Sequence, residues 1–363
     1  MRVHIVDPSA YTPPYDDALC GALAAAGADV ELHTSRFAYG PVPAPDGYRR
    51  HLDFYRAASH VPAPAARRAV KLASHVPDML RYRRTASRAD LVHFQWLTVQ
   101  HLDGHLLPRG RPLVITAHDV LPREPRPGQR AAQRRLYDRF DAVVAHSEHG
   151  RARLTGELGL DPGRVHVIPH GALDALTGLA PAAPPDGERP LVLFAGLLRP
   201  YKGIDLLLRA WEGIEGADLL VAGMPRMDIA DLEARVPAGA RLQARYLPDA
   251  ELASLMRRAS LVVLPYREIE QSGVLFTALA FGRPLLLSDV GGFPEIAAQG
   301  AARTFPAGDA AALHDAIAHL LARPGELAAM AARAAELAHG EYGWESIARR
   351  TLELYGSLTG AGA

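Results

Sequence analysis

The stretch PLVLFAGLLRPYKGIDLLLRAW, residues 190–211, decides the fold. Its first seven residues are a short apolar run closed by Gly196, the pattern of a strand buried on both faces of a parallel sheet. A loop carrying Arg199 and Lys202 follows, and then IDLLLRAW has the apolar spacing of an amphipathic helix. Strand, loop and helix make the repeating step of a doubly wound α/β sheet, and such sheets bind ligands at the carboxyl ends of their strands. The two cations stand at that end.

The same alternation runs outward in both directions. Upstream, strands are expected at VHIV (3–6), DVELH (29–33), DLVHF (90–94), PLVITA (112–117), AVVAH (142–146) and VHVI (165–168). Downstream they are expected at DLLVAG (218–223), LQARY (242–246), LVVLP (261–265) and PLLLS (284–288). Between the two sets lies GLAPAAPPDGERP (178–190), dense in Pro, Ala and Gly, which reads as a linker. With 363 residues the chain is long enough for two domains. The expectation is therefore α/β: two doubly wound Rossmann-like domains facing each other across a cleft, with residues 1–178 in the first, 179–187 as linker and 188–340 in the second.

Composition narrows the function. A hydrophobic fraction of 48% with 22% charged residues is that of a globular protein. Formal net charge is zero, so nothing in it calls for a nucleic-acid partner, and none is expected. The balance is uneven along the chain: residues 1–178 carry 23 Arg and Lys against 18 Asp and Glu, and residues 179–363 carry 17 against 22. That asymmetry would suit an acidic or membrane-surface acceptor at the first domain, although surface bias without function reads the same way. The single cysteine, Cys20, cannot form an intramolecular disulfide, and no apolar run reaches the length of a membrane span. A cytoplasmic protein, at most peripheral to the membrane, is expected.

The segment around Gly196 and Lys202 resembles the GT-B glycosyltransferases of family 4, in which a strand ending in Gly leads to a Lys-Gly pair and a helix start. The resemblance implies that Lys202 contacts the diphosphate of a nucleotide-sugar donor. Composition supports a special role: 38 of the 40 basic residues are arginine, and only Lys71 and Lys202 are lysine. A compact, rotatable ammonium suits a flexible diphosphate. Arg199 is a second phosphate candidate, although the family places its second cation directly after the glycine, where this chain has Leu197.

A second segment, PYREIEQSGVLFTALAFGRPLLLSDVGGFPEI (265–296), resembles the family's donor-binding motif. Ser272 and Gly273 open a helix there, and a helix start offers unpaired N–H groups to an anion, with glycine permitting close approach. The plain alternative is a Ser cap beside a flexible turn. The family motif carries two glutamates eight positions apart; this chain has Ile269 and Thr277 in those places, with Glu268 and Glu270 flanking the first. A subset of the family has a Gln-Ser-Gly segment here, as at Gln271 to Gly273. The donor-binding set implied is Gly196, Glu268, Glu270, Gln271, Ser272, Gly273, Val274 and Thr277.

Softer matches complete the resemblance. In ITAHDV (115–120), His118 resembles the family's strand-end histidine facing the donor sugar; in VIPHGALDAL (167–176), His170 replaces an Asn. A lone strand-end histidine is more often structural, and His93, His146 and His170 are read that way. YGWESIARRTLELYGSL (342–358) resembles the last helix of the family, so helix 344–358 is expected to return to the first domain. Tyr15, Asp16, Tyr55, Phe94 and Trp96 are acceptor-side candidates, though aromatic residues beside strands are usually core.

The implied chemistry is transfer of a sugar from a nucleoside-diphosphate donor to an unidentified acceptor, with retention of anomeric configuration and no dedicated protein nucleophile. Lys202, Arg199 and the amides at Ser272 and Gly273 would stabilise the leaving group. No cofactor is expected beyond the nucleotide sugar as co-substrate, and no metal, since the chain contains no Asp-x-Asp tripeptide. The rival readings are a sugar-nucleotide epimerase of the same fold and a catalytically inert sugar-nucleotide-binding protein, the latter motivated by the missing glutamates. Product analysis separates the three. An oxidoreductase is disfavoured because no Gly-x-Gly-x-x-Gly follows the first strand of either half.

Overall fold

The computed structural model describes residues 1–37, 40, 42–61, 63–97, 99–121, 127–179 and 189–360. Of the expected linker, all but Leu179 lie outside the described residues. The chain divides into two compact units. Unit 1 is Met1–Gly171 with Trp344–Ala363, and unit 2 is Ala172–Gly343. Residues 172–178, expected in the first domain, therefore fold with the second.

Unit 1 runs β1 (Arg2–Asp7), α1 (Pro13–Ala25), β2 (Asp29–Ser35), β3 (Arg49–Phe54), α2 (Pro64–Thr85), β4 (Leu91–Phe94), α3 (Gln100–Leu106), β5 (Leu113–Thr116), α4 (Gln129–Tyr137), β6 (Ala142–Ala145), α5 (Glu148–Gly156) and β7 (Val165–Val167). Its seven strands are all parallel, in the order β3-β2-β1-β4-β5-β6-β7. Apolar side chains from both sheet faces build the core, which is why strands such as Leu91–Phe94 are buried at every position.

Unit 2 runs β8 (Leu191–Ala195), α6 (Ile204–Ala210), β9 (Asp218–Ala222), α7 (Ala230–Glu233), β10 (Ala240–Gln243), α8 (Asp249–Arg258), β11 (Leu261–Leu264), α9 (Gly273–Ala280), β12 (Leu285–Ser288), α10 (Phe293–Ala298), β13 (Ala302–Phe305), α11 (Ala310–Leu321) and α12 (Pro324–His339). Six parallel strands follow the order β10-β9-β8-β11-β12-β13. The expected doubly wound architecture is present in both units. Two strands, β3 and β13, lie beyond those expected, and the strand expected at 242–246 sits at Ala240–Gln243.

The last helix, α13 (Trp344–Thr359), belongs to unit 1, where it lies against α1. Tyr355 Oη and His93 Nδ1 are 2.6 Å apart, and His93 Nε2 lies 2.8 Å from Thr116 Oγ1. Trp344 sits over Gly171 so closely that a Cβ there would fall 2.5 Å from the indole. Among the described residues, no helix is long and apolar enough to cross a membrane.

Candidate functional site

Strand order places the two sequence segments together. In unit 2 the winding reverses between β8 and β11, which are neighbours, so the loop after β8 and the loop after β11 open side by side. That is the switch point where open α/β sheets bind ligands. Gly196 ends β8 with φ 120°, and a Cβ on it would meet Val274 Cγ2 at 3.1 Å and Lys202 Nζ at 3.3 Å. Glycine here lets the lysine and the start of α9 close on one point.

Lys202 is only 8% exposed. Its Nζ donates to Tyr266 Oη at 3.1 Å, and Tyr266 Oη lies 3.4 Å from Ser272 Oγ. The ammonium also stands 4.8 Å from the centre of the Tyr266 ring. Among the described residues no carboxylate pairs with it. Tyr266, fully buried, is the member that sequence reading missed, because an aromatic beside a strand ordinarily reads as core. Ser272 holds the cap position of α9, with its carbonyl accepting from Leu275 and Phe276, but its side chain makes no capping bond.

Arg267 fixes the two loops to each other. Its backbone N–H donates to Tyr201 O at 2.7 Å, and its guanidinium donates to Pro200 O at 2.7 Å and to both Asp205 oxygens at 2.8 and 2.9 Å. Gly203, at φ 66°, lies where a Cβ would strike Pro265 O. The Lys202 loop is thus held on both sides.

The other candidates scatter around this centre. Arg199 and Glu268 are exposed, Glu270 and Gln271 are half-buried, and Gly273 is exposed at the start of α9. Ile269 is buried in the core. Thr277 is 3% exposed, and its hydroxyl donates to Gly273 O at 2.9 Å, so the helix itself uses that group.

In unit 1 the carboxyl ends of β5, β6 and β7 bring His118, His146 and His170 into one buried cluster with Tyr15. His118 Nε2 lies 3.1 Å from Gln95 Oε1, and its Nδ1 lies 3.2 Å from His146 Nε2. Trp96 stacks on His118 with ring centres 4.8 Å apart. Burial drives all three imidazoles to the neutral form: His118 well below the usual histidine range, His146 to about 4 and His170 to about 3. His118, singled out from the sequence, is therefore one of a cluster that includes two residues read as structural. Phe94, an acceptor candidate, is core.

A cavity of about 680 Å³ opens at the carboxyl ends of β1 to β3, lined among others by Asp16, Arg36, Tyr55, Arg67 and Lys71. Lys71 Nζ stands 5.1 Å from the centre of the Tyr55 ring, and burial, then the charge of Arg67, lowers its pKa. Asp16 is buried beside Asp7, and burial plus the neighbouring carboxylate raises its pKa well above the ordinary range. Asp7 is held by the backbone N–H groups of Ser9 at 3.1 Å and Tyr11 at 2.5 Å.

The family described as Glycosyltransferase Family 4 matches residues 17–172, and that described as Glycosyl transferases group 1 matches residues 189–323. The chain is 29% identical over 338 residues to the alpha-maltose-1-phosphate synthase of Mycolicibacterium smegmatis, covering 81% of this chain and 86% of that protein. It is 30% identical over 323 residues to a D-inositol 3-phosphate glycosyltransferase of Segniliparus rotundus, covering 77% of this chain and 68% of that protein. Another enzyme of that name is matched over 61% of its length. Among solved structures, Anabaena HepE in complex with UDP-glucose superposes with TM-score 0.73 at 17% identity, covering 99% of this chain and all of that one.

Proposed function

This chain belongs to the family 4, group 1 glycosyltransferases of GT-B fold, and on that premise we propose that it moves a sugar from a nucleoside-diphosphate donor to an acceptor bearing an anionic group, with retention of configuration. The observation that carries the donor reading is Lys202, a buried cation with no carboxylate partner among the described residues. An unpaired buried charge is costly, and the diphosphate of the donor supplies the missing anion. The free N–H groups at the start of α9 face the same anion. Together they lower the barrier by stabilising charge on the departing diphosphate, without a protein nucleophile. UDP-glucose is the first donor to test, because HepE was solved with it.

The acceptor reading rests on the unit 1 cavity. Arg36, Arg67 and Lys71 bring positive charge to its lining, and Asp16 adds a carboxyl that burial favours as neutral, suited to a hydroxyl. A phosphorylated polyol has that chemistry, and the two relatives are named for phosphorylated compounds. The same phosphate chemistry is carried by a lipid headgroup.

Incubation with a panel of nucleotide sugars tests the donor: one of them is expected to raise Tm clearly, since a ligand at 100 times its Kd contributes about 2.7 kcal/mol. Transfer assays with inositol phosphates and, in parallel, with vesicles containing anionic phospholipids then separate the acceptor sources. Lys71→Ala is expected to raise KM for the anionic acceptor by roughly 10-fold or more, consistent with about 1.5 to 3 kcal/mol for a charge-assisted hydrogen bond. Equal KM values in wild type and variant would remove the anionic group from the reading.

A further inference from the structure

Three neighbouring strands of unit 1 carry histidine on one sheet face. The register sets His4 of β1 beside Glu31 of β2, and His33 of β2 beside His51 of β3. Glu31 and His33 are two residues apart, so strand alternation sends all four side chains to the same side. There the Nε2 atoms of His4, His33 and His51 lie 3.9, 3.7 and 3.0 Å from a single atom, Glu31 Oε2. Ligand atoms of His4, Glu31 and His33 all fall within 4.8 Å of one another.

These nitrogens are not spent on hydrogen bonds. None of the three Nε2 atoms has a hydrogen-bond partner among the described residues, although the His4 and His33 side chains are 0% and 1% exposed. Buried polar atoms ordinarily find partners. A tetrahedral zinc ion with bonds of about 2.0 to 2.1 Å has ligand-to-ligand edges of about 3.3 to 3.4 Å, and His4 and His33 stand at 3.9 and 3.7 Å from Glu31 Oε2, a few tenths of an ångström wider.

The far ends of the ligands are already held. His33 Nδ1 lies 2.8 Å from Asp53 Oδ2, His4 Nδ1 lies 3.4 Å from Tyr82 Oη, and Glu31 Oε1 accepts from Arg49 at 2.8 Å. A carboxylate behind a histidine fixes ring orientation and leaves the other nitrogen for metal, the usual outer shell of a metal site. The His51 side chain is 37% exposed and sits on the edge strand, which provides an entry path.

We propose that His4, Glu31 and His33 form a structural binding site for a divalent cation of the zinc class, clamping strands β1 and β2 together, with solvent as the fourth ligand on the side of His51. Imidazole nitrogens with one carboxylate oxygen suit zinc rather than calcium or magnesium, which prefer oxygen ligands throughout. The site belongs to unit 1 and Lys202 to unit 2. No spacing motif announces the site, because its ligands are spread over two strands joined only by the sheet.

The test uses the full chain without a histidine tag, stripped by chelator dialysis and titrated with zinc chloride alone. One equivalent per chain is expected, with a rise in Tm, and cobalt in place of zinc should give the intense visible absorption of a four-coordinate ion. Glu31→Gln, which keeps the shape of the side chain, should fold normally and bind zinc at least about 10-fold more weakly; Asp53→Asn should cost about 10- to 100-fold through the outer shell. Lys202→Ala should bind zinc as wild type does. Absence of saturable zinc binding, or unchanged affinity in both folded Glu31→Gln and Asp53→Asn, overturns the proposal. Neither result touches the donor reading, which the nucleotide-sugar titration decides.

Discussion

Gly273 and Thr277 lie four residues apart on α9 and are expected to respond differently to substitution. A Cβ at Gly273 would find only Leu173 Cδ1, at 3.7 Å, so Gly273→Val has room to fold. Its bulk fills the approach to the helix-start amides, and donor binding should be lost. Thr277 donates its hydroxyl to Gly273 O, and Thr277→Ala forfeits only about 0.5 to 1.5 kcal/mol, so donor affinity should fall no more than about tenfold. Glu268→Ala or Glu270→Ala should cost more than Thr277→Ala where a loop carboxylate meets the ribose. Calorimetric titration of the four variants with UDP-glucose gives the order; normal binding by Gly273→Val with loss in Thr277→Ala would put the diphosphate elsewhere. At this scale the sequence was uneven. Lys202 stood out in the sequence because it falls where the resembling family keeps a lysine and lysine is scarce in the chain, whereas Tyr266 did not, since its partner is 64 residues away and only the adjacency of β8 and β11 joins them.

Among the elements, those buried on both faces were readable as apolar runs, and two of the four edge strands, β3 and β13, were not. β3 reads RRHLDF, with only its last residue buried, and β13 reads ARTF, with two exposed residues in the middle. Edge strands carry polar residues that protect an unpaired side, which removes the apolar run that marks a strand. The terminal helix was legible through its apolar spacing, but its tie to Gly171 was not, because a glycine in a turn does not name what covers it. Gly171→Val should push Trp344 from its seat and destabilise unit 1 by about 1 to 3 kcal/mol, the usual cost of overpacking. Chemical denaturation would read this as a lower midpoint with little change in slope; an unchanged midpoint would mean that α13 is not anchored there.

At the level of the whole molecule, acid should weaken unit 1. His93 and His170 are each lowered to about 3 and His146 to about 4 by burial, and all three lie in unit 1. The unfolded chain takes up protons near the ordinary histidine value of about 6.5, before the folded protein does. The stability linked to these groups is therefore full above about pH 6.5 and falls as pH drops towards 4 and 3. Thermal melts at pH 7.5 and pH 5 should show a lower transition in acid; equal transitions would contradict the buried neutral cluster. Transfer itself should persist in excess EDTA below the unfolding temperature, because Lys202 and helix amides neutralise the diphosphate. Loss of transfer restored by magnesium or manganese would count against that. Whether Lys202 holds the donor diphosphate is decided by titrating UDP into wild type and Lys202→Ala. Binding is expected to be roughly 10- to 100-fold weaker in a variant that still folds, from about 1.5 to 3 kcal/mol of charge-assisted hydrogen bonding; equal affinity in the two proteins would mean that Lys202 does not hold the diphosphate.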